Sequence, residues 1–292
     1  MRVPIRFEPA GSVFVVFRAG ARPEPGRVVS VSRNGEMQLS FSRKAGKEAG
    51  AEPRPADNLK MDSVELVSRA AGRVEALVRQ AGTYALETAD GKRREFTVAS
   101  IPKPLEITGS WDLRFPPNWG APERVTLDKL ISWSEHSDPG VKYFSGTAAY
   151  TKTINLPADL LTKNRRLYLD LGEVQVMAEV KLNGKDLGIL WKAPFRVDIT
   201  GAAKAGDNQL EVKAVNLWIN RMIGDEQLPE DSARTRDGNL REWPQWLNEG
   251  KPSPTGRYTF TSWKLWPKDA PLRPSGLLGP VTIQAAETIA VR

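Results

Sequence analysis

Val180-Lys181-Leu182-Asn183-Gly184-Lys185-Asp186-Leu187-Gly188 reads as a strand, a two-residue turn and a return strand. Apolar residues alternate with polar ones up to Leu182, and Asn-Gly tolerates the positive φ of a type I′ hairpin turn. The same period of two recurs on either side, in Tyr150 to Leu156, Arg166 to Leu171, Val176 to Leu182, Phe195 to Ile199, Gln209 to Asn216 and Val281 to Ala285. Only Pro157 to Thr162 and Thr126 to Ile131 look helical. Many short strands with few helices predict an antiparallel sandwich or jelly roll. No period of 20 to 50 residues is visible, which argues against propellers and solenoids.

Further towards the N-terminus, short strand-like pieces run from Arg27 to Val98 around Asn34-Gly35 and Asp90-Gly91, both hairpin signals. This stretch predicts a small all-β unit. Pro102 and Pro104, two residues apart, cannot donate to a ladder and favour extended linker geometry, so the main boundary is placed there. All nine tryptophans lie between Trp111 and Trp266. Ser12 to Phe17 is a buried-strand run without a partner before it, followed by the Pro-rich break Ala21 to Gly26. The expected division is therefore a remnant strand of an upstream domain in residues 1–20, a small β-sandwich in 21–103 and a jelly roll in 104–292.

The 292 residues are 40% hydrophobic and 26% charged, an ordinary globular composition. No apolar run approaches the roughly 20 residues of a membrane span, and no charged-then-apolar leader opens the chain. A soluble chain without a membrane partner is expected. The +7 net charge raises the question of nucleic acid, but the charges are interspersed and no zinc-knuckle or helix-turn-helix pattern accompanies them. No nucleic-acid partner is expected. Zero cysteines exclude disulfides and thiolate chemistry, and one histidine excludes a two-histidine metal site within one chain. Nucleotide-binding glycine loops are absent.

Asn183-Gly184, Leu187-Gly188, Pro194-Phe195, Val197 to Thr200 and Gly206 to Val212 resemble the sugar-binding jelly roll of family 2 glycoside hydrolases, and Gly146 to Ile154 matches its entry strand. Val215 to Asp225, Tyr258 to Trp263 and Ser275 to Val281 are similar to the carboxy-terminal region of the α-L-rhamnosidase-like hydrolases of family 106, as are Gly11 to Phe17 and Gly109-Ser110-Trp111. The resemblance implies an all-β fold, a small β-sandwich followed by a galactose-binding-like jelly roll. It implies an accessory, carbohydrate-binding module whose catalytic domain, with its acid, base and calcium site, would precede Met1. It also implies export to the periplasm or cell exterior. The exposed interface left by a missing partner domain would favour self-association.

Glycoside hydrolysis needs two carboxylates facing a sugar, about 5 Å apart for retention or roughly 6.5 to 9.5 Å for inversion. If the chain is itself a hydrolase, the candidates are Asp225, Glu226 and Glu242, in the strand-poor stretch running to Pro254. The alternatives are solvated loop charges, with Asp225 paired to Arg221 as a brace, and a purely structural domain. For sugar binding the candidates are Trp243, Trp246, Trp218, Asn220, Arg221, Asp225, Trp133 and His136. Flat indoles pack on the C–H faces of pyranose rings while polar neighbours take the hydroxyls. Trp111, Trp218 and Trp263 lie in strand-like stretches and read as core more than as surface. His136, between Glu135 and Asp138, has the chemistry of an acid, a base or one metal ligand. No D-x-D-x-D-G loop is present, so no metal or cofactor is expected, although jelly rolls can carry a structural calcium.

Overall fold

The computed structural model describes residues 27–40, 63–68 and 73–291. The expected upstream strand and the Pro-rich break lie outside them. The strands are β1 (Val28–Arg33), β2 (Glu36–Ser40), β3 (Val64–Ser68), β4 (Val74–Val78), β5 (Gly82–Thr88), β6 (Arg93–Val98), β7 (Leu105–Glu106), β8 (Trp111–Arg114) and β9 (Arg124–Leu127). There follow β10 (Thr147–Leu156), β11 (Arg165–Asp170), β12 (Glu173–Gln175), β13 (Met177–Leu182), β14 (Lys185–Leu190), β15 (Arg196–Asp198), β16 (Gly206–Val215), β17 (Gly276–Gly279) and β18 (Thr282–Ala290). Among the described residues there are three short α-helices: α1 (Pro139–Lys142), α2 (Ile219–Asp225) and α3 (Gln245–Asn248).

The jelly roll is two antiparallel sheets facing each other. One runs β14-β13-β16-β10-β8-β9, and the other contains β15-β11-β18 with β7 beside β18. Alternation decides which residues go inside: Ala178, Val180 and Leu182 on β13 and Leu210, Val212 and Ala214 on β16 are buried against Leu167, Leu169 and Ile283 of the opposite sheet. The hairpin that opened the reading forms as expected, with Asn183 at φ 53° and Gly184 at φ 79° joining β13 to β14. Buried Asn208 ties this turn down, its Oδ1 accepting from Asn183 Nδ2 at 2.8 Å and its Nδ2 donating to the carbonyls of Lys204 and Gly206 at 2.7 and 2.8 Å.

A second core lies between the sheet β2-β1-β5-β6 and the β3–β4 hairpin, with Val31, Val64, Val78, Tyr84, Leu86 and Val98 buried. The Asn34-Gly35 turn has the same two positive φ angles as its counterpart, 51° and 84°. At Asp90-Gly91 only the glycine is left-handed and the hairpin loop is longer, closing through Thr88 N to the Lys92 carbonyl at 2.9 Å.

The two cores share one strand. β18 pairs with β11 through Thr282–Glu287 and with β4 through Glu287–Ala290, so β3 and β4 complete a sheet of the jelly roll. A cut near residue 103 thus separates two cores without separating the sheets. Two local expectations are corrected. The stretch from Thr126 is no helix: Arg124–Leu127 is an edge strand on β8, because Val125 and Leu127 turn inward at a period of two. In Pro157 to Thr162 only a single 3-10 turn forms, at Ala158–Leu160. No helix among the described residues is long and apolar enough to cross a membrane.

Candidate functional site

Between β16 and β17 the chain leaves the sandwich for about sixty residues of loops around α2 and α3. α2 carries three of the residues singled out above, Asn220, Arg221 and Asp225, and their burial decides what they can touch. Asn220 is 1% exposed, its Nδ2 donating to the Arg273 carbonyl at 2.8 Å and to Ser275 Oγ at 2.9 Å, while its Oδ1 accepts from Arg273 N. Asp225 is 2% exposed, and its Oδ2 accepts three protons: from Tyr258 N at 2.9 Å, Thr259 N at 2.6 Å and Thr259 Oγ1 at 2.7 Å. Arg221 lies under the Tyr258 ring, 4.6 Å from its centroid. Burial lowers the guanidinium's pKa, against the raising effect of the charge on Asp225. These three side chains are braces, buried away from any sugar on the surface. The brace from Asp225 runs to residues 258–259 and not to Arg221 in an ion pair.

Glu226 is tied just as firmly. It binds Arg257 at 2.9 Å and Lys264 at 2.8 Å, and Lys264 reaches Glu230 at 2.6 Å. Burial pushes the Glu230 carboxyl up, but the Lys264 hydrogen bond and the charges of Lys264, Arg257 and Arg234 outweigh it and hold it below the ordinary range. Hydrogen bonds from Glu226 and Glu230 hold Lys264 above the ordinary lysine value. A depressed carboxyl contributes stability above its unfolded pKa and loses it as pH falls through the folded value; the raised lysine contributes below its unfolded pKa and loses it at high pH. Lys264→Met is therefore expected to flatten the fall of melting temperature between about pH 5 and pH 3. Because Lys264 and Glu230 are 41% and 44% exposed, the loss at neutral pH stays below about 1 kcal/mol. Melting curves of both proteins across that range check it, and parallel pH profiles would contradict it.

Trp133, named as a sugar contact, is 1% exposed at the heart of the jelly roll and is corrected to core. His136 beside it is half-buried and accepts at Nδ1 from Asp138 N at 3.0 Å, while Asp138 caps α1 through Gly140 N at 2.7 Å. No group of three metal-binding side chains exists among the described residues. Trp218 and Trp263, read as core, are 49% and 54% exposed: Trp218 lies past the end of β16, and Trp263 sits in a lone bridge to Asn239 with no second sheet over it among the described residues.

Two clusters of aromatic rings in mutual contact reach the surface among the described residues. Trp218 meets Trp119 edge-on at 5.9 Å, and Trp119 lies 5.8 Å from Tyr258. Trp119 and Tyr258 were not among the candidates, because 139 residues separate them in sequence and only folding joins them.

The other group is Trp243, Phe260 and Trp246. Trp243 is 60% exposed and leans on Phe260 at 5.6 Å, and Trp246 meets the same ring edge-on at 5.9 Å. Trp246 Nε1 donates to the Asp231 carbonyl at 3.0 Å, fixing α3 onto residues 231–233. Ser253 Oγ donates to Asp231 Oδ2 at 2.7 Å and closes the loop from the other side. Between these segments lies an open hollow of about 510 Å³, lined by Asp231, Ser232, Glu242, Gln245, Trp246 and Glu249 among others. It joins Trp246 and Glu242 of the sequence candidates, with Trp243 on its flank. Glu242 is exposed and makes no hydrogen bond or ion pair with any described residue.

Comparison with known proteins finds relatives of this region. Residues 134–243 match the family model described as glycosyl hydrolase 2 galactose-binding domain-like. Over 212 residues the chain is 47% identical to a "Putative beta-glucuronidase" of Formosa agariphila, the match covering 73% of this chain and 18% of that protein. A solved rhamnosidase from Novosphingobium sp. PP1Y superposes with a TM-score of 0.50 at 26% identity, over 77% of this chain and 25% of the rhamnosidase. The chain thus spans about a fifth to a quarter of the length of these proteins. In its central segment, residues 134–243, the chain is similar to the galactose-binding-like domain of the glycosyl hydrolase 2 kind.

Proposed function

We propose that this chain is a carbohydrate-recognition module of a larger glycoside hydrolase, and that it holds a glycan in the hollow beside Trp246. The observation that carries this reading is the hollow itself, of about 510 Å³, in which an indole lies among carboxylate, amide and hydroxyl groups. A pyranose needs that combination, an apolar face to stack on and acceptors and donors around its rim. The buried or ion-paired state of Asp225 and Glu226 supports recognition over hydrolysis, since neither carboxylate is free to meet a glycosidic oxygen. Exposed Ile189 and Trp191, at the edge strand β14 and just past it, and Met177 on neighbouring β13 form the apolar surface that a catalytic domain of the parent enzyme would cover.

The test is affinity across a glycan panel, run beside hydrolysis of nitrophenyl rhamnosides, galactosides and glucuronides. Binding without turnover is expected. Trp243→Ala, which removes an exposed flanking ring, is expected to weaken binding several-fold with the melting temperature nearly unchanged. Turnover that disappears in Glu242→Gln would instead make the chain a hydrolase in its own right.

A further inference from the structure

We infer that the hollow beside Trp246 selects uncharged or amine-bearing saccharides and rejects uronic acids and sulfated sugars, an inference that rests on the recognition role proposed above. Its charged lining is three carboxylates, Asp231, Glu242 and Glu249, against the single ammonium of Lys251. That ammonium is already bound to Glu249 Oε2 at 2.6 Å, and Gln245 Nε2 donates to the other oxygen of Glu249 at 2.6 Å. Hydrogen bonds from Lys251 and Gln245 hold the Glu249 carboxyl below its ordinary range, so it is ionised at neutral pH. Asp231 and Glu242 have no cation within ion-pair distance among the described residues.

The neighbouring guanidinium and ammonium groups are engaged elsewhere. Arg234 donates to the carbonyls of Gly238 and Thr261 and lies 3.5 Å from Glu230. Arg257 and Lys264 bind Glu226 and Glu230. Arg241 adjoins Glu242 in the chain but does not line the hollow.

A saccharide carboxylate or sulfate entering this space would lose water and meet two unpaired negative charges. It would find few donors that are not already used. Sugar hydroxyls, by contrast, can donate to Glu242 and to the remaining lone pairs of Asp231, whose oxygens already accept from Ser232 Oγ at 2.9 Å and Ser253 Oγ at 2.7 Å, and the ammonium of an amino sugar gains from both charges. Trp246 supplies stacking area to all these ligands alike, so the discrimination resides in the rim.

The experiment titrates the full chain with four glycan sets, neutral, amine-bearing, uronic and sulfated, including an oligogalactoside and the matched oligogalacturonate. At low salt the neutral or amine-bearing ligand is expected to bind about tenfold or more tightly than the matched acid, and the gap should shrink above about 0.5 M salt. Glu242→Gln should narrow it several-fold, because that carboxylate is exposed and its neutral isostere keeps the shape. Equal or tighter binding of the galacturonate would overturn the inference and leave the recognition role standing. A preference unmoved by Glu242→Gln would also overturn it, placing the selection elsewhere. Failure of all four sets to bind would overturn the recognition role itself.

Discussion

Trp133→Ala lowers the stability of the chain by about 3–5 kcal/mol, the cost of emptying an indole-sized space in a close-packed core. The ring lies between Phe115, Phe144 and Tyr150, with centroids at 5.8, 5.5 and 6.3 Å. Its Nε1 donates to the Tyr150 hydroxyl at 2.6 Å, and that oxygen also accepts from Leu277 N at 3.0 Å. Burial holds the Tyr150 phenol well above its ordinary pKa, against the lowering effect of those two donors, so it stays neutral. Gly276 of β17 packs directly against the indole, at φ 92° and with a Cβ there placed only 2.6 Å from the Trp133 ring and the Tyr150 hydroxyl, so the ring is enclosed on that side too. Denaturant unfolding of Trp133→Ala and Trp133→Phe measures the effect, with the Phe variant expected to lose less. A loss below about 1 kcal/mol in the Ala variant would place Trp133 outside the core.

Asp225→Ala is expected to free the segment that carries the aromatic surface while leaving the sandwich folded. One buried oxygen holds the amides of Tyr258 and Thr259 and the Thr259 hydroxyl, and hydrogen bonds to a charged group contribute about 1.5–3 kcal/mol each, less than additively. A local loss of about 3 kcal/mol speeds amide exchange at residues 258 and 259 roughly a hundredfold, since about 1.4 kcal/mol is a factor of ten. Tyr258 belongs to the group with Trp119 and Trp218, and Phe260 backs Trp243 and Trp246. Glycan affinity should therefore fall with the exchange protection, although Asp225 touches no glycan. Unchanged exchange at 258 and 259 would remove Asp225 from this role.

What could be read beforehand follows how local each signal is. The Asn183-Gly184 and Asn34-Gly35 turns were legible because a type I′ turn asks for two positive φ angles in adjacent residues, and those residue types supply them. Alternation along β13 and β16 likewise marked the inward face. The sharing of β18 was not legible, since no feature of Glu287 to Ala290 names β4, two hundred residues earlier, as its partner. Trp133 was misread because Ser134, Glu135 and His136 give its segment a polar surface character, whereas a single 3-10 turn points the indole inward. Trp218 erred the other way: its apolar neighbours suggested a strand, but β16 ends at Val215. The hollow itself depends on Asp231, Trp246 and Ser253 meeting through hydrogen bonds across loops, and no periodicity announces such a meeting.

The central claim, glycan recognition beside Trp246, is tested most directly by the indole N–H resonances of the ¹⁵N-labelled chain during titration with a glycan drawn from the binding panel. The account predicts shifts at Trp246 and Trp243, assigned through their Phe variants, while buried Trp111 and Trp133 stay in place and Trp246→Ala loses affinity by an order of magnitude or more. Shifts confined to Trp119, Trp218 or Trp191, or full affinity in Trp246→Ala, would contradict it.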